Sequence, residues 1–544
     1  MKKTINMTIS ILAALLLAAC NGMENPPQNQ YTDANFWSAE RAKYMVNTAY
    51  SQMYSAGKLW DDEELGDNVF QVRSGSSLGR VLRTGSANSA TGGFNSQWGD
   101  AYTCIKSCHV FLDNVESLTD MDPAAKARLV AEARFIRAYT YFRLINFYGD
   151  VPFFTKDITA TEAQTIARTP KAEVLAFIRS ELETIIADLP RKDDQSEADK
   201  GRITKGAAQM LLARTYLYQQ DTDWAAVERE TAKLINNQAE FGTYSLCPTY
   251  AEVFDEENEY NEEVILDRAY VQNLITWDQM QDRIPLSRSG RVLGLVPIQS
   301  LVDNYLTIGG YTIHEAGSDY DPANPYENRD PRMAATIIYD GYDWDANVPA
   351  AHNFFIGRGK IYIDPNRPES EGSEDRYDPS ANSSRSGYYT RKWYSPQAAG
   401  QNASGLNIIM MRYADVLLMY AEAMLEQNKL TEAVWNQTVR PIRERAGFTA
   451  AKALDFPAGK SQAELRTILR NERRSELAIE GLRWYDIMRW KAGSQYFTGK
   501  PEGASFAVDL GATYKFDESR DYLFAVPQTQ IDLNGNLLPQ NPGY

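Results

Sequence analysis

The sequence predicts a mainly α fold, a tetratricopeptide-like scaffold of helical pairs that carries a large loop-rich, strand-poor insertion. Three observations predict it. Helical patterns fill two blocks, about 32–239 and 411–490. Ala or Gly stands where helices must touch, as at Ala131, Ala133 and Ala138. Residues 57–97 and 240–410 are instead rich in Gly, Ser, Asn, Asp and Pro. Helix pairs stacked along one axis satisfy the first two, although no strict repeat of about 34 residues is present.

The helices read 33–56, 98–118, 123–148, 171–188, 203–219 and 224–237, then 412–427, 431–447 and 461–490. The third is the most fully specified. Asp122 fits the N-cap, Pro123 the first turn, Gly149 the left-handed stop, and Pro152 lies just beyond. Phe135, Ala138, Tyr139, Phe142 and Ile145 share one face, while Ile136, Leu144, Phe147 and Tyr148 cover the rest. A helix apolar on several faces is sandwiched between neighbours, so these rings read as core. Strand-like runs are short, EEVILDRAY at 262–270 and AATIIYD at 334–340. Irregular stretches this long are functional or disordered. The aromatics they carry favour a folded, loop-built region.

The bulk numbers bound the function. A formal charge of −16 over 544 residues opposes nucleic-acid binding. An apolar content of 43% supports a large core, and 32 Tyr with 10 Trp suit cores and stacking surfaces alike. Residues 1–19 read as a signal peptide: a basic MKK, then an apolar run too short to span a bilayer. It ends in Leu17-Ala18-Ala19-Cys20, which resembles a bacterial lipobox and implies cleavage before Cys20 and acylation of its thiol. Residues 20–31 then form a lipidated tether, 32–544 a single domain, and 491–544 its C-terminal tail. Cys104, Cys108 and Cys247 make an odd set that reads as buried thiols rather than a disulfide framework.

Catalytic motifs are weak. Gly75-Ser76-Ser77-Leu78-Gly79 matches G-x-S-x-G, but the glycines after it oppose the helix a nucleophile elbow needs. With 72 acidic residues, no glycosidase pair stands out. DYDPANPYENRD (319–330) has the oxygen density of a structural calcium loop without EF-hand spacing, and turn chemistry explains it as well. No cofactor or metal is assigned. Binding fits better. A sugar site needs flat rings beside carboxylates and amides. The loops supply Tyr270, Asn273, Trp277, Tyr342 and Trp344, and the first loop region adds Asp67, Asn68, Arg80 and Phe94. Trp277 and Trp344, on loops, are expected to contribute to binding and little to stability.

Five stretches resemble one family. They are AEARFIRAYTYFRLINFYGDVP (131–152), YENRDPRM (326–333), RYADVLLMYAEA (412–423), ERRSELAIEGLRWYDIMRW (472–490) and the end LFAVPQTQIDLNGNLLPQNPGY (523–544). Together, in this order, they resemble the SusD/RagB-like nutrient-binding lipoproteins. The resemblance implies a surface-exposed, lipid-anchored outer-membrane protein that captures glycan, without catalysis. It also implies delivery of the glycan to a TonB-dependent SusC-like transporter, from a site built by loops after the first helix and in mid-chain. RagB-like members implicated in peptide uptake make peptide the alternative ligand; a glycoside hydrolase is the remaining one.

If Cys20 carries the lipid, mass spectrometry of the mature chain will find it N-terminal and acylated. Cys20→Ala will leave the membrane fraction, because acyl chains supply stable anchoring; an unmodified Cys20 refutes the anchor.

Overall fold

The structure is a computed structural model that describes residues 36–291, 294–348 and 358–544. The signal peptide, Cys20 and the tether lie outside the described residues. The first half runs α1 (Ala39–Met53), α2 (Ala56–Leu65), β1 (Val69–Gln71), α3 (Leu78–Arg83), α4 (Gly92–Asn114), α5 (Pro123–Tyr148), α6 (Lys171–Ile185), α7 (Lys205–Leu217) and α8 (Trp224–Asn236). The second half holds β2 (Val264–Arg268), β3 (Leu295–Pro297), β4 (Ile408–Arg412), α9 (Tyr413–Glu426), α10 (Glu432–Gln437), α11 (Val439–Ala446), α12 (Gln462–Glu476) and α13 (Arg483–Arg489).

Successive long helices pack in one line: α1 on α4, α4 on α5, α5 on α6, α6 on α7, α7 on α8, α8 on α9, and α9 on α12. This is the tetratricopeptide-like stack that the patterning predicts. Residues 237–412 are therefore inserted between two neighbours of the stack, α8 and α9. The antiparallel β2–β4 ladder closes the base of the insertion, and β4 runs straight into α9.

The α5 helix has the predicted bounds, and its caps explain why. Asp122 accepts from the Ala125 N–H at 2.8 Å, Pro123 opens the first turn, and Gly149 sits at φ 71°. Every ring of its crowded C-terminal half is buried. Phe147 stacks on Phe524 with centroids 4.6 Å apart, Phe142 on Tyr218 at 6.0 Å, and Tyr148 donates to the Phe94 carbonyl at 2.6 Å. The C-terminal tail thus seals the end of α5.

Three expectations fail locally. Residues 57–97 contain α2, α3 and the start of α4 rather than only loop. Asp62 and Glu63 in the acidic run of α2 are buried by partners: Arg143, distant in sequence, binds Asp62 at 2.6 Å, and Glu63 accepts from nearby Asn68 and from the distant Gly481 N–H. Gly93, read as a breaker, lies so close to Leu78 that an added Cβ would meet its side chain at 2.8 Å. The glycine admits α3 against α4. The single helix expected over 461–490 breaks after Glu476, with Ile479 at φ 59° and Gly481 at φ 72°. Outside donors satisfy the freed carbonyls: Trp393 Nε1 on Ile479 at 2.7 Å, Lys392 on Ala478 at 2.8 Å and Tyr250 on Glu476 at 2.9 Å.

Phe142→Ala is expected to cost about 3–5 kcal/mol through the cavity it leaves between α5 and Tyr218. Thermal denaturation will show an early transition, while ligand affinity per folded molecule stays unchanged.

Candidate functional site

The two loop regions singled out in the sequence do meet. β1 pairs antiparallel with β3, Val69 opposite Pro297 and Gln71 opposite Leu295. The ladder continues with the Val72 N–H on Gly294 O at 2.7 Å. At Gly294 an added Cβ would meet the tip of the Gln71 side chain at 2.8 Å. A third segment locks on: Arg73 donates to Ala381 O at 2.7 Å, and Arg385 donates back to Val72 O at 3.3 Å.

Most of the expected contact residues lie beneath this face rather than on it. Trp277, Trp344, Tyr270, Tyr342, Phe94, Asp67 and Asn68 are all buried. Trp277 donates its indole N–H to Leu406 O at 2.8 Å and bridges Ser404 through its backbone. Trp344 lies under the Arg288 guanidinium and edge-on to Tyr394. The Tyr270 hydroxyl accepts from the Ala56 N–H, and Tyr342 donates to Ala334 O. Phe94 packs against Phe524 and Tyr544. Asp67 pairs with Arg474 and Arg483; burial pushes its carboxyl up, and the two guanidinium groups outweigh that and hold it at about 2. Asn68 bridges Glu63 and Arg474. The physical reason is common to all. Loops with few ladder bonds become rigid only by burying rings and anchoring their polar ends, so these side chains hold the face in shape. Asn273 does reach solvent, at a tight turn with φ 66°, and Arg80 is half-buried.

Rings stay open elsewhere. A cleft of about 440 Å³ lies between α4, residues 152–166 and the C-terminal tail. Trp98 and Tyr102, one turn apart on α4, line it with Phe154. Tyr102 and Phe154 are half-exposed and nearly parallel, with centroids 6.0 Å apart and planes at 19°. Tyr102 is fixed by its hydroxyl, which donates to Pro152 O at 2.7 Å. The rim is polar: the Lys106–Asp157 pair at 3.0 Å, Gln164, Gln530 and Asn534. Asn534 pins the tail by donating to Ala163 O and Ile166 O. The i, i+4 spacing of Trp98 and Tyr102 was the one readable signal for this cleft, and helix patterning alone masks it as core.

The other motifs have structural roles. Ser77 stands at the N-terminal end of α3, a six-residue helix the glycines did not forbid, without a side-chain cap bond, and its hydroxyl donates to Ser74 O. In 319–330, Asp321 accepts from Ala323 and Asn324, and Asp330 caps the helix at Pro331–Thr336. Among the described residues no group of three or more His, Cys, Asp or Glu converges as a metal site. No helix among them is long and apolar enough to cross a membrane. Cys104, Cys108 and Cys247 are buried.

A stack of helical pairs that carries a loop-built insertion defines a fold of the tetratricopeptide-like class. The comparisons make this particular. The family model described as SusD family matches residues 262–544, just over half of the chain, and the one described as "Starch-binding associating with outer membrane" matches 23–217. The chain belongs to the SusD family. SusD-like protein P2 of Formosa agariphila is 29% identical over 557 residues, covering 98% of each chain. Starch-binding protein SusD of Bacteroides thetaiotaomicron is 34% identical over 167 residues, 29% of this chain and 27% of that one. A solved SusD-like carbohydrate binding protein from Bacteroides fragilis superposes with a TM-score of 0.79 at 25% identity, covering 92% of this chain and 99% of that one.

Trp277→Ala is therefore expected to fail in the opposite sense from a loop contact. Losing the buried ring and its bond to Leu406 should cost about 3–5 kcal/mol of stability. Calorimetry paired with titration of the folded fraction checks this: an unchanged melting temperature with lost binding would return Trp277 to the ligand.

Proposed function

We propose that this chain captures glycan at the outer membrane without turning it over and hands it to a TonB-dependent SusC-like transporter, held to the membrane by a lipid on Cys20. The observation that carries the glycan reading is the open Tyr102–Phe154 pair, in a protein whose family relatives bear the names starch-binding and carbohydrate binding. Flat rings take the apolar CH face of a sugar. Asp157, Gln164 and Gln530 around them supply acceptors and donors for its hydroxyls. A cleft of about 440 Å³ has room for a short oligosaccharide segment. Asn273 and Arg80 remain candidate contacts on the loop face. The outer-membrane reading is supported by the description of the second matching family model and by the lipobox-like Leu17–Cys20.

A glycan array followed by product analysis tests binding and turnover together. Tyr102→Ala is expected to weaken the identified glycan by about 1–3 kcal/mol, taking the value of base–aromatic stacking, or roughly five- to 150-fold. Tyr102→Phe, which keeps the ring, should retain most of the affinity. Time-dependent depolymerisation would overturn the non-catalytic reading, and binding of peptides in place of glycans would overturn the ligand class. Affinity capture from gently solubilised membranes should recover a large outer-membrane barrel; recovery of the chain alone would count against delivery.

A further inference from the structure

We propose that a second cleft, between α12 and the insertion, takes a neutral sugar unit by hydrogen bonding without aromatic stacking; this rests on the glycan reading above and adds a contact of different chemistry. The cleft holds about 450 Å³. One wall is the outer side of α12, with Thr467, Ile468 and Asn471. The other is the insertion turn at 304–315. That turn is held in place. The Thr307 N–H donates to Tyr311 O at 2.9 Å, and the Ile308 N–H to Asn328 O at 2.7 Å. Gly310, at φ 88°, lies so close to the chain beyond α11 that a Cβ would meet the Ala453 backbone nitrogen at 2.6 Å. Leu306 and Ile308 pack with Phe448 and Leu454 beneath it. Asn304 closes the floor by donating to Asn471 O at 3.0 Å and to Ser475 Oγ at 2.8 Å.

The lining differs from that of the Tyr102–Phe154 cleft in two ways. No aromatic side chain lines it, and the face of Tyr311 in the insertion turn is covered by the Lys452 ammonium, 4.4 Å from the ring centre. Its charges are also matched. Lys452 pairs with Glu315 at 2.7 Å, Lys460 with Glu464 at 2.8 Å, Arg443 with Glu472 at 2.7 Å, and Asp455 with Arg440 at 3.1 Å. An ionic ligand would have to break one of these pairs, so the cleft favours a neutral one. What stays unspent is hydrogen-bonding capacity. Arg443 is buried, with its Nε on Glu472 and its Nη1 on Ala453 O at 2.6 Å; among the described residues its Nη2 has no hydrogen-bond partner. The Asn304 amide oxygen accepts no hydrogen bond there, and the Asn471 side chain makes none. All three side chains line the cleft. Fixed planar donors and acceptors of this kind pair with adjacent hydroxyls of a sugar ring, while Leu306 and Ile468 beside them meet its CH groups.

The full-length protein, released from the membrane, is titrated with maltotriose, xylotriose and mannotriose, and its amide hydrogen exchange is mapped with each. At least one trisaccharide is expected to slow exchange in 304–315 and 452–471. Tyr102→Ala should leave that protection in place. Thr467→Trp, which fills the cleft from an exposed position on α12, should abolish it. Asn471→Ala should weaken binding at this cleft about two- to tenfold, the worth of one hydrogen bond, and Asn471→Gln should retain part of it. Both positions should leave the melting temperature unchanged, because Thr467 bonds only its own helix and the Asn471 side chain bonds nothing. Absence of protection in 304–315 with all three sugars, or protection indifferent to Thr467→Trp, overturns the second site. The glycan reading then stands if the glycan array finds a ligand, and both fail if the array is empty. Protection of 304–315 by diglycine and by none of the sugars overturns the ligand class. If Thr467→Trp melts early, the wild-type exchange map and Asn471→Ala still decide the question.

Discussion

Everything built on the helical stack depends on one buried ionic network around α12. Glu476 accepts from Arg332 at 2.9 Å, from Arg412 at 2.6 Å, and from Arg445. Glu263 accepts from Arg412 and Arg445, Glu472 from Arg332 and Arg443, and Glu480 from Arg412 and Lys392. Burial opposes the charge on Glu476, and Arg445, Arg412 and Arg332 outweigh it, so its carboxyl is held well below the ordinary range. Glu263, Arg332, Lys392 and Arg412 belong to the insertion and its flanking strand, whereas Glu472 and Glu476 belong to the stack. Removing one member of such a network leaves an uncompensated buried charge, at about 3–5 kcal/mol. Only one seating of the insertion satisfies every member, so the network fixes register as well as contact.

That fixed seating lets a region with little sheet behave as a rigid body. The ladders of the insertion are two to five residues long, too short to be stable alone. Its tyrosines and tryptophans make up the difference. Several bury a ring and tie its polar end to a distant carbonyl, as Trp277 does to Leu406 and Trp393 to Ile479. The richness in Tyr and Trp thus serves the architecture of the loops first. Ring faces remain available to ligand where the packing stops, along α4 and the tail.

The charge distribution follows the same division. Most arginines facing the interior are neutralised by carboxylates, such as Arg473 between Asp415 and Asp486, while Arg83 and Arg329 are held by backbone carbonyls.

The sequence by itself determined the helices whose ends carry their own signals. Asp122, Pro123 and Gly149 set α5 to the residue, and periodicity made its rings core, because caps and amphipathicity are local physics. It also determined the family, through motifs that turn out to be packing: Arg412, Glu472, Glu476, Arg483 and Asp486 belong to the buried ion pairs. Only the tertiary structure decided which aromatics face solvent. Trp277 among polar neighbours and Tyr102 inside a helix give misleading local patterns, since exposure is set by Leu406, Ser404 and the tail, all more than a hundred residues away. The same holds for α2, whose acidic run is helical and buried only because Arg143, Asn68 and Gly481 meet it. A carboxylate's burial depends on a partner that local sequence cannot name.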